Sequence, residues 1–390
     1  MNDSGGATGE GMGGETWELF RIAVGVRAEW LVLRLRADGA AGVYGYGECS
    51  DAGPLAKVVA VLDAAVRRGA RVQRPAGLRD ALAALHDAEF GEAPDRRTEP
   101  SFAGVTVAGG MAQARTDLAA RLDGVPLWSW MGGAPPAPVE LYANLNRTPG
   151  GSTPREVAAT AERALADGFG ALKVAPFDAP GDRPLPELGL ARLHAVRQAV
   201  GGGVRLMADA HERLTFDELV PLLGPLSELG LHWLEDAVCI GRPRELARLR
   251  ARTAIPLAGG EFACDPADVW NVDGLIDVLL PDVKHAGGTL EAARLAAAGT
   301  ARISVHNPTG PVATLHSAHL SSVCGAAEPM EYAYGPTAWR SDLVRGAERV
   351  ERGRLTLPDA PGTGLELDTA HPSVTRVWSG RMEAHRPARR

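Results

Sequence analysis

The sequence predicts an α/β fold in which a parallel β/α barrel of the TIM type follows a smaller α+β domain. The chain has 390 residues, which suits one barrel of roughly 250 residues and one smaller unit. After residue 138, eight short apolar runs alternate with alanine-rich amphipathic segments, the rhythm of parallel strands and helices. A polar residue closes each run, at the strand end where such barrels carry functional side chains.

The part before the barrel consists of an arm and an α+β domain. Residues 1–14, MNDSGGATGEGMGG, are rich in glycine and polar residues, which predicts a disordered arm. Residues 17–53 contain two β-rich runs, a DGAAG turn and a third run, which indicate a hairpin or meander. Residues 55–85 and 107–130 carry apolar residues at helical spacing. Because GGAPPAP at 132–138 reads as a linker, we place the α+β domain at residues 15–134.

Eight apolar runs define the predicted barrel, residues 135–341. They are VELYANL, FGALKVA, VRLMAD, LHWLED, IPLAGGE, IDVLLPD, RISVH and PMEYAYG. Mostly uninterrupted apolar strands are typical of a sheet covered on both faces. A doubly wound sheet is the alternative, which the absence of GxGxxG after the first strand disfavours. Residues 342–390 are polar and loop-like, and one hypothesis is that they pack on the first domain, although the sequence itself does not show this.

The composition excludes several classes of protein. Hydrophobic residues make up 45% of the chain, charged residues 23%, and the net charge is -7, which disfavours binding to nucleic acid or to anionic membranes. No apolar run is long enough to span a bilayer, and the N-terminus does not resemble a signal peptide. Four widely spaced cysteines without a CxxC pair favour free thiols in a reducing cytoplasm over disulfides or a zinc site.

Three of the strand-end residues are evenly spaced carboxylates. Asp209, Glu235 and Glu261 follow one another at 26-residue intervals (209 to 235 and 235 to 261), about one βα unit, so we expect equivalent positions on adjacent strands. Three converging carboxylates suit Mg²⁺, whereas zinc prefers nitrogen and sulfur ligands. The alternative is that they are solvated or cap the following helices. The other polar strand-end residues are Lys173, His211, Asp282, His306 and Glu331.

Several short segments together resemble the enolase superfamily, in its mandelate racemase branch. They are MADAHERL, HWLED, AGGE, LPDVKHAGG and SVHNPTGP, followed by Glu331, and the resemblance runs from about Trp17 onward. The Asp-x-His of Asp209 and His211 is similar to that of galactonate dehydratase and its relatives. The resemblance implies an α+β capping domain over a (β/α)7β barrel, with cap loops at 24–29 and 49–54 closing over the site. It also implies Mg²⁺, a small-molecule carboxylate substrate and a homo-oligomer.

The resemblance assigns roles in proton transfer as well. Removal of a proton beside a carboxylate gives an enediolate, which a cation on the carboxylate oxygens stabilises, and this superfamily pairs Mg²⁺ with a Lys or His base. Lys173 matches the first lysine of the family's Lys-x-Lys, which steadies the substrate carboxylate, whereas Ala175 replaces the second, the usual base. Asp282 and His306 match an Asp-His dyad, in which the carboxylate fixes the imidazole tautomer. His211 is the candidate for the second acid or base.

The remaining candidates are contacts to substrate. Glu331 matches a glutamate that hydrogen-bonds the substrate carboxylate in the racemase branch. Asn144 and Asn146 end the first strand and are candidates to meet substrate hydroxyls, although loop amides are common. Lys284 is a secondary candidate for substrate binding, provided that its strand continues so far, and His285 is expected in the following loop.

The first functional hypothesis is a Mg²⁺-dependent dehydratase of a sugar acid, a carbon–oxygen lyase. One of His211 and His306 would take the α-proton, and the other would protonate the departing β-hydroxyl. The second hypothesis is a racemase, epimerase or lactone cycloisomerase that acts through the same enediolate. The third is a non-catalytic barrel that binds a metal and a ligand. The sequence leaves open the particular acid sugar, the division of roles between the histidines, and the oligomeric state.

Overall fold

The computed structural model describes residues 14–25, 28–68, 100–148, 151–335 and 337–383. The predicted disordered arm, apart from Gly14, lies outside the described residues, as do residues 69–85 of the predicted first helix and residues 26–27 of the first cap loop. In this described part of the chain, no helix combines the length and apolar character needed to cross a membrane.

A four-stranded antiparallel sheet organises the N-terminal part of the chain. Its strands are β1 (Glu15–Val24), β2 (Ala28–Ala37), β3 (Gly45–Glu48) and β14 (Val374–Met382), in the order β14-β1-β2-β3. The C-terminal segment therefore returns to the first sheet, where β14 pairs with β1 along its length.

The two faces of this sheet are covered by different parts of the molecule. Trp17 and Leu19 pack in one core cluster with helices α1 (Leu55–Arg68) and α2 (Pro100–Leu122), whereas Phe20 and Ile22 belong to the cluster of the barrel. Because side chains alternate across a strand, one face of the sheet packs against the two helices and the other face packs against the barrel.

Eight parallel strands follow, and each falls within one of the predicted apolar runs. They are β4 (Val139–Asn144), β5 (Ala171–Val174), β6 (Arg205–Asp209), β7 (Trp233–Glu235), β8 (Leu257–Gly259), β9 (Val278–Leu279), β10 (Arg302–Ile303) and β11 (Met330–Ala333). The strand order is β10-β9-β8-β7-β6-β5-β4, with β11 also paired to β4. The Glu331 amide donates to the Val305 carbonyl at 3.0 Å, which links the two ends of the series. The predicted barrel is thus confirmed.

At least one helix lies in each interval between successive barrel strands, as a parallel barrel requires. A short helix, α3 (Leu127–Trp130), precedes β4, and a β-ribbon of β12 (Arg349–Glu351) and β13 (Arg354–Thr356) pairs with β4. Short 3₁₀ turns lie at Leu145–Arg147, Val220–Leu222 and Asp342–Val344. The barrel helices are α4 (Pro154–Ala166), α5 (Leu185–Val200), α6 (Phe216–Leu219), α7 (Leu223–Glu228), α8 (Pro243–Arg250), α9 (Pro266–Trp270), α10 (Thr289–Ala296) and α11 (Pro311–Val323).

Helix α2 lies directly against the turn formed by residues 283–285, after β9. Thr106 Oγ1 is 3.0 Å from Nδ1 of His285, and Gln113 Nε2 donates to the carbonyl of residue 283 at 3.1 Å. At Gly109 a Cβ would lie only 2.0 Å from the carbonyl oxygen of residue 284. The N-terminal part therefore contacts the barrel through backbone as well as side chains.

Glu48, at the end of β3, makes a second connection. Its side chain is fully buried and accepts hydrogen bonds from the amides of Gly310 (2.7 Å) and Ala313 (2.9 Å) and from the hydroxyl of Ser50 (2.7 Å). These two amides begin α11, where the unpaired N–H groups of a helix favour a negative charge. A carboxylate from one part of the molecule thus caps a helix of the other.

Candidate active site

The three predicted carboxylates lie buried at one end of the barrel. Asp209 and Glu235 are direct partners in the register of β6 and β7. Glu261 is displaced from that register, because Glu235 pairs with Ala258 and a turn at Gly260, with a φ of 113°, separates Glu261 from the end of β8. The expectation of three equivalent strand positions is therefore wrong for Glu261. Its side chain lines the cavity of the site, whereas Asp209 and Glu235 are not among the residues that line this cavity.

Lys173, at the end of β5, is fully buried among carboxylates. Its Nζ lies 2.5 Å from Glu235 Oε1, 3.1 Å from Asp209 Oδ2 and 3.1 Å from Glu331 Oε1. Burial opposes the charged form of this lysine, but the carboxylates around it, Glu235 foremost, hold its pKa well above the ordinary value. The ammonium supplies positive charge at the centre of this anionic group.

His306 stands between two carboxylates on the β9–β10 side. Its Nδ1 lies 2.8 Å from Asp282 Oδ2, and its Nε2 lies 2.9 Å from Glu261 Oε2 and 3.4 Å from Glu331 Oε2. Although burial lowers the pKa of His306, Glu331 and Glu261 raise it well above the ordinary value. The pairing predicted between Asp282 and His306 is present in the structure.

His211 lies across the barrel from His306, after β6, in an unusual backbone conformation. The φ angles of His211 and Glu212 are 44° and 53°, a left-handed region that non-glycine residues rarely adopt and that is often found at functional sites. The Asp209 carboxylate accepts the His211 amide at 3.1 Å, which stabilises this turn. The turn directs the imidazole so that Nε2 lies 2.9 Å from Asp209 Oδ2.

The charges around His211 favour its protonated form. Its Nδ1 lies 2.8 and 2.9 Å from the two oxygens of Asp178. Burial lowers the pKa of His211, but Asp209 and Asp178 outweigh this and raise it to about 11. The pKa of Glu235 is also raised, to about 8, because burial and the neighbouring Asp209 favour its uncharged form.

Glu331 and the two asparagines form one hydrogen-bonded group. Glu331 accepts from Asn144 Nδ2 at 2.5 Å and from the amide of Asn307 at 2.9 Å. Asn144 Oδ1 accepts the amide of Asn146 (2.8 Å), and Asn146 Oδ1 accepts that of Ala175 (2.6 Å). Both asparagines line the cavity, so the loop after β4 is held to that after β5.

Lys284 has a different position from the one predicted. It is fully buried, and its Nζ donates to Asp282 Oδ2 at 2.7 Å; the residues that line the cavity do not include it. The structure therefore shows no contact that supports the predicted role of Lys284 in substrate binding. The strand ends before this residue, and the chain turns towards α2. Instead Lys284 stabilises the carboxylate that holds His306.

A cavity of about 450 Å³ lies over these residues. Besides predicted side chains, it is lined by residues that the sequence did not point to, and these come from loops and from the N-terminal part. Phe102 and Phe262 pack edge to face at 5.5 Å, and the ring of His285 lies 4.7 Å from Phe102. Asp51 also lines the cavity and lies in the predicted cap loop at 49–54. The unforeseen lining residues are Phe102, Asp178, Arg213, Phe262, His285 and Pro308.

The residues present fit a divalent cation by their chemistry. Asp209, Glu235 and Glu261 are buried oxygen donors, and carboxylate oxygens are the ligands that Mg²⁺ takes in proteins. Asp209 Oδ2 is buried with ion-pair contacts but without an aligned hydrogen bond. Among the described residues, no group of three or more acidic, histidine or cysteine side chains is close enough together to coordinate a metal ion. The positions of Lys173 and His306 account for this, since they contact these carboxylates directly.

Comparison with known proteins gives the class of protein. The family model described as "Enolase C-terminal domain-like" matches residues 156–371, more than half of the chain. The chain therefore belongs to the enolase superfamily, and the predicted membership is confirmed.

Curated relatives and solved structures agree with this assignment. The chain is 27% identical over 358 residues to "D-galactonate dehydratase" of Ralstonia pickettii, covering 87% of this chain and 89% of that protein. It is 29% identical over 279 residues to "D-gluconate dehydratase" of Thermoproteus tenax, covering 69% of this chain but only 56% of that protein. A mandelate racemase/muconate lactonizing enzyme-like protein from Rubrobacter xylanophilus superposes with a TM-score of 0.76 at 26% identity, over 91% of this chain and 95% of that one.

Proposed function

We propose that the protein is a Mg²⁺-dependent dehydratase of a sugar acid. The observation that carries this proposal is that two imidazoles lining the cavity, those of His211 and His306, contact carboxylates of one buried group, Asp209 and Glu261 respectively. They follow β6 and β10, the third and seventh strands of an eight-stranded barrel, and so approach the cavity from opposite sides. The relatives named as dehydratases of galactonate and gluconate support the same reaction.

The substrate carboxylate would bind beside the carboxylate group of the protein. Asp209, Glu235 and Glu261 would hold Mg²⁺, which when bound offsets the negative charge that develops on the substrate carboxylate. Lys173 would contribute a second positive charge there. Glu331, kept in place by Asn144, would donate a hydrogen bond to the same substrate group as the protonated acid.

The proton transfers divide between the two histidines. His306, held at Nδ1 by Asp282, would take the α-proton at Nε2, and the electron pair of the C–H bond would pass into the substrate carboxylate to give an enediolate. As this pair returns to form the Cα–Cβ double bond, the Cβ–O bond would break, and its electron pair would take a proton from Nε2 of His211, so that water leaves. The resulting enol becomes a 2-keto-3-deoxy acid. His306 is assigned as the base because the fully buried carboxylate of Asp282 contacts its Nδ1 and raises the basicity of the imidazole.

A racemase or epimerase is the second candidate, because two imidazoles on opposite sides of the cavity could also remove and return a proton at one carbon. Ala175 weighs against the usual Lys/His racemase, since its methyl group occupies the position of the family's lysine base. The two reactions differ in whether water is lost from the substrate.

The test is a screen of sugar acids with the purified protein, with added Mg²⁺ and after treatment with EDTA. We expect 2-keto-3-deoxy products, read by NMR, from at least one acid with Mg²⁺ and none after EDTA. His306→Asn should abolish the product, whereas His232→Asn should not, because His232 pairs with Glu328 outside the cavity. Deuterium uptake at Cα in D₂O with no loss of water would instead establish the racemase or epimerase.

The cellular location, inferred from the free thiols, and the assembly, implied by the family resemblance, are also proposals. We propose a cytoplasmic homo-oligomer with residues 15–134 as the cap and residues 135–341 as the catalytic barrel. The pairing of β14 with β1 supports assigning the end of the 342–390 segment to the cap. Light scattering after size exclusion would measure the number of subunits.

A further inference from the structure

Asp178 holds His211 by the nitrogen that faces away from the carboxylate group. Both oxygens of Asp178 lie within 2.8–2.9 Å of His211 Nδ1, while Nε2 of the same ring lies 2.9 Å from Asp209 Oδ2. Because each nitrogen of an imidazole meets a different partner, the ring has one orientation and Nδ1 carries a proton.

The loop that carries Asp178 is itself rigidly supported. Before Asp178, the carbonyl of Pro176 accepts a hydrogen bond from the guanidinium of Arg192 at 2.6 Å, and Arg192 is buried. Phe177 is also buried, and its ring fills the space beside Gly189, where a Cβ would lie 2.2 Å from the ring. Asp178 is thus presented by a fixed loop, as a group that positions another side chain must be.

The same arrangement occurs on the opposite side of the cavity. His306 is held at Nδ1 by Asp282 at 2.8 Å, and its Nε2 lies 2.9 Å from Glu261. In both cases an aspartate from another loop lies at Nδ1 and leaves Nε2 beside one of the predicted metal-binding carboxylates. The cavity is therefore flanked by two Asp-His dyads, of which the sequence indicated only one.

We propose that Asp178 is a positioning residue that orients His211, so that its Nε2–H points at the departing β-hydroxyl of the substrate. The inference rests on the proposed dehydration, and it adds the group that prepares the acid. Asp178 itself takes no proton from the substrate. Its loss should slow departure of water while leaving α-proton removal by His306 in place.

The experiment compares wild type with Asp178→Asn, using the sugar acid found in the screen, in D₂O. NMR follows two rates together: formation of the dehydrated product and exchange of the α-proton in recovered substrate. For Asp178→Asn we expect kcat for dehydration to fall about 10–100-fold, as is usual when the partner of a functional histidine is removed. KM should change by less than about threefold, and the ratio of exchange to dehydration should rise by the same factor as kcat falls. Asp178→Glu should restore part of kcat.

Asp182→Asn is the matched control, because Asp182 is an exposed aspartate in the same loop, with an ion pair only to Arg183 at 3.5 Å among the contacts of the described residues. It should leave both rates unchanged. An unchanged kcat in Asp178→Asn would overturn the inference, and so would an equal loss of exchange and dehydration, which would indicate general damage to the site.

A second measurement makes the inference independent of the proposed function. In protein labelled with ¹⁵N-histidine, the His211 signals, assigned with His211→Asn, should show a protonated Nδ1 in the wild type and a changed Nδ1 signal in Asp178→Asn. If no acid is dehydrated, the proposed function fails, but this NMR comparison still tests whether Asp178 positions His211. If dehydration occurs but the His211 signals are identical in both proteins, only the inference about Asp178 fails.

Discussion

Glu48→Ala should destabilise the protein strongly, because it removes the acceptor at the start of α11. The carboxylate accepts three hydrogen bonds of 2.7, 2.7 and 2.9 Å in a fully buried position. A hydrogen bond to a charged group contributes about 1.5–3 kcal/mol, and the contributions are not additive, so we expect a loss of about 3–5 kcal/mol in the free energy of unfolding. Glu48→Gln, which keeps one carbonyl oxygen but turns an NH₂ group towards an amide donor, should lose about 1–3 kcal/mol.

Urea denaturation followed by tryptophan fluorescence and by far-UV circular dichroism measures both losses. Glu29→Ala is the control, because Glu29 lies on a neighbouring strand of the same sheet and pairs with Arg21 at the surface, where both side chains are partly exposed. It should cost less than about 1 kcal/mol. The reasoning would be refuted if Glu48→Ala lay within about 0.5 kcal/mol of the wild type, or if Glu29→Ala were equally damaging.

Two further predictions concern close packing and pH. Gly109→Ala should cost about 1–3 kcal/mol and lower kcat, because the added Cβ would lie 2.0 Å from the carbonyl of residue 284; Gly224→Ala, with open space around it, should be neutral or stabilising in the same urea titration. Burial lowers the pKa of His319 to about 3, so below pH 6.5 the unfolded chain binds a proton that the folded chain does not, and stability falls as pH falls towards 3. His319→Asn keeps an acceptor for the Trp128 amide and should lose less stability than the wild type between pH 7 and pH 5; equal losses would contradict the buried neutral imidazole.

The barrel could be predicted because a strand buried on both faces is recognisable in the sequence as an apolar run. A strand between two layers of side chains is apolar throughout, and the first polar residue marks its end, as at Lys173, Asp209 and Glu235. The same signal was less accurate at Glu261, because an even spacing counts residues without regard to conformation. The residues of the turn at Gly260 do not extend the strand. Glu261, although 26 residues after Glu235, therefore does not occupy the matching register position.

The cavity wall could not be predicted, since it depends on how loops and domains meet. Asp178 and His211 are separated by 33 residues, and no periodicity relates them. They meet because β5 and β6 are adjacent and the loops after adjacent parallel strands lie at the same end of the barrel. Phe102 joins the wall from α2 in the N-terminal part. An aspartate five residues after the predicted strand-end Lys173 was the only available signal.

The contact of α2 with the turn at 283–285 limits how the protein can open. This turn also fixes Asp282, whose Oδ1 accepts the amides of Lys284 at 2.6 Å and His285 at 3.3 Å. Helix α2 and the carboxylate that holds His306 are therefore connected through this turn, so a rigid-body movement of the N-terminal part away from the barrel would displace Asp282 from His306. Under the proposed function, substrate and product would instead enter and leave past the loops that line the cavity. Such a division would allow substrate contacts in these loops to change without disturbing the helix that supports Asp282.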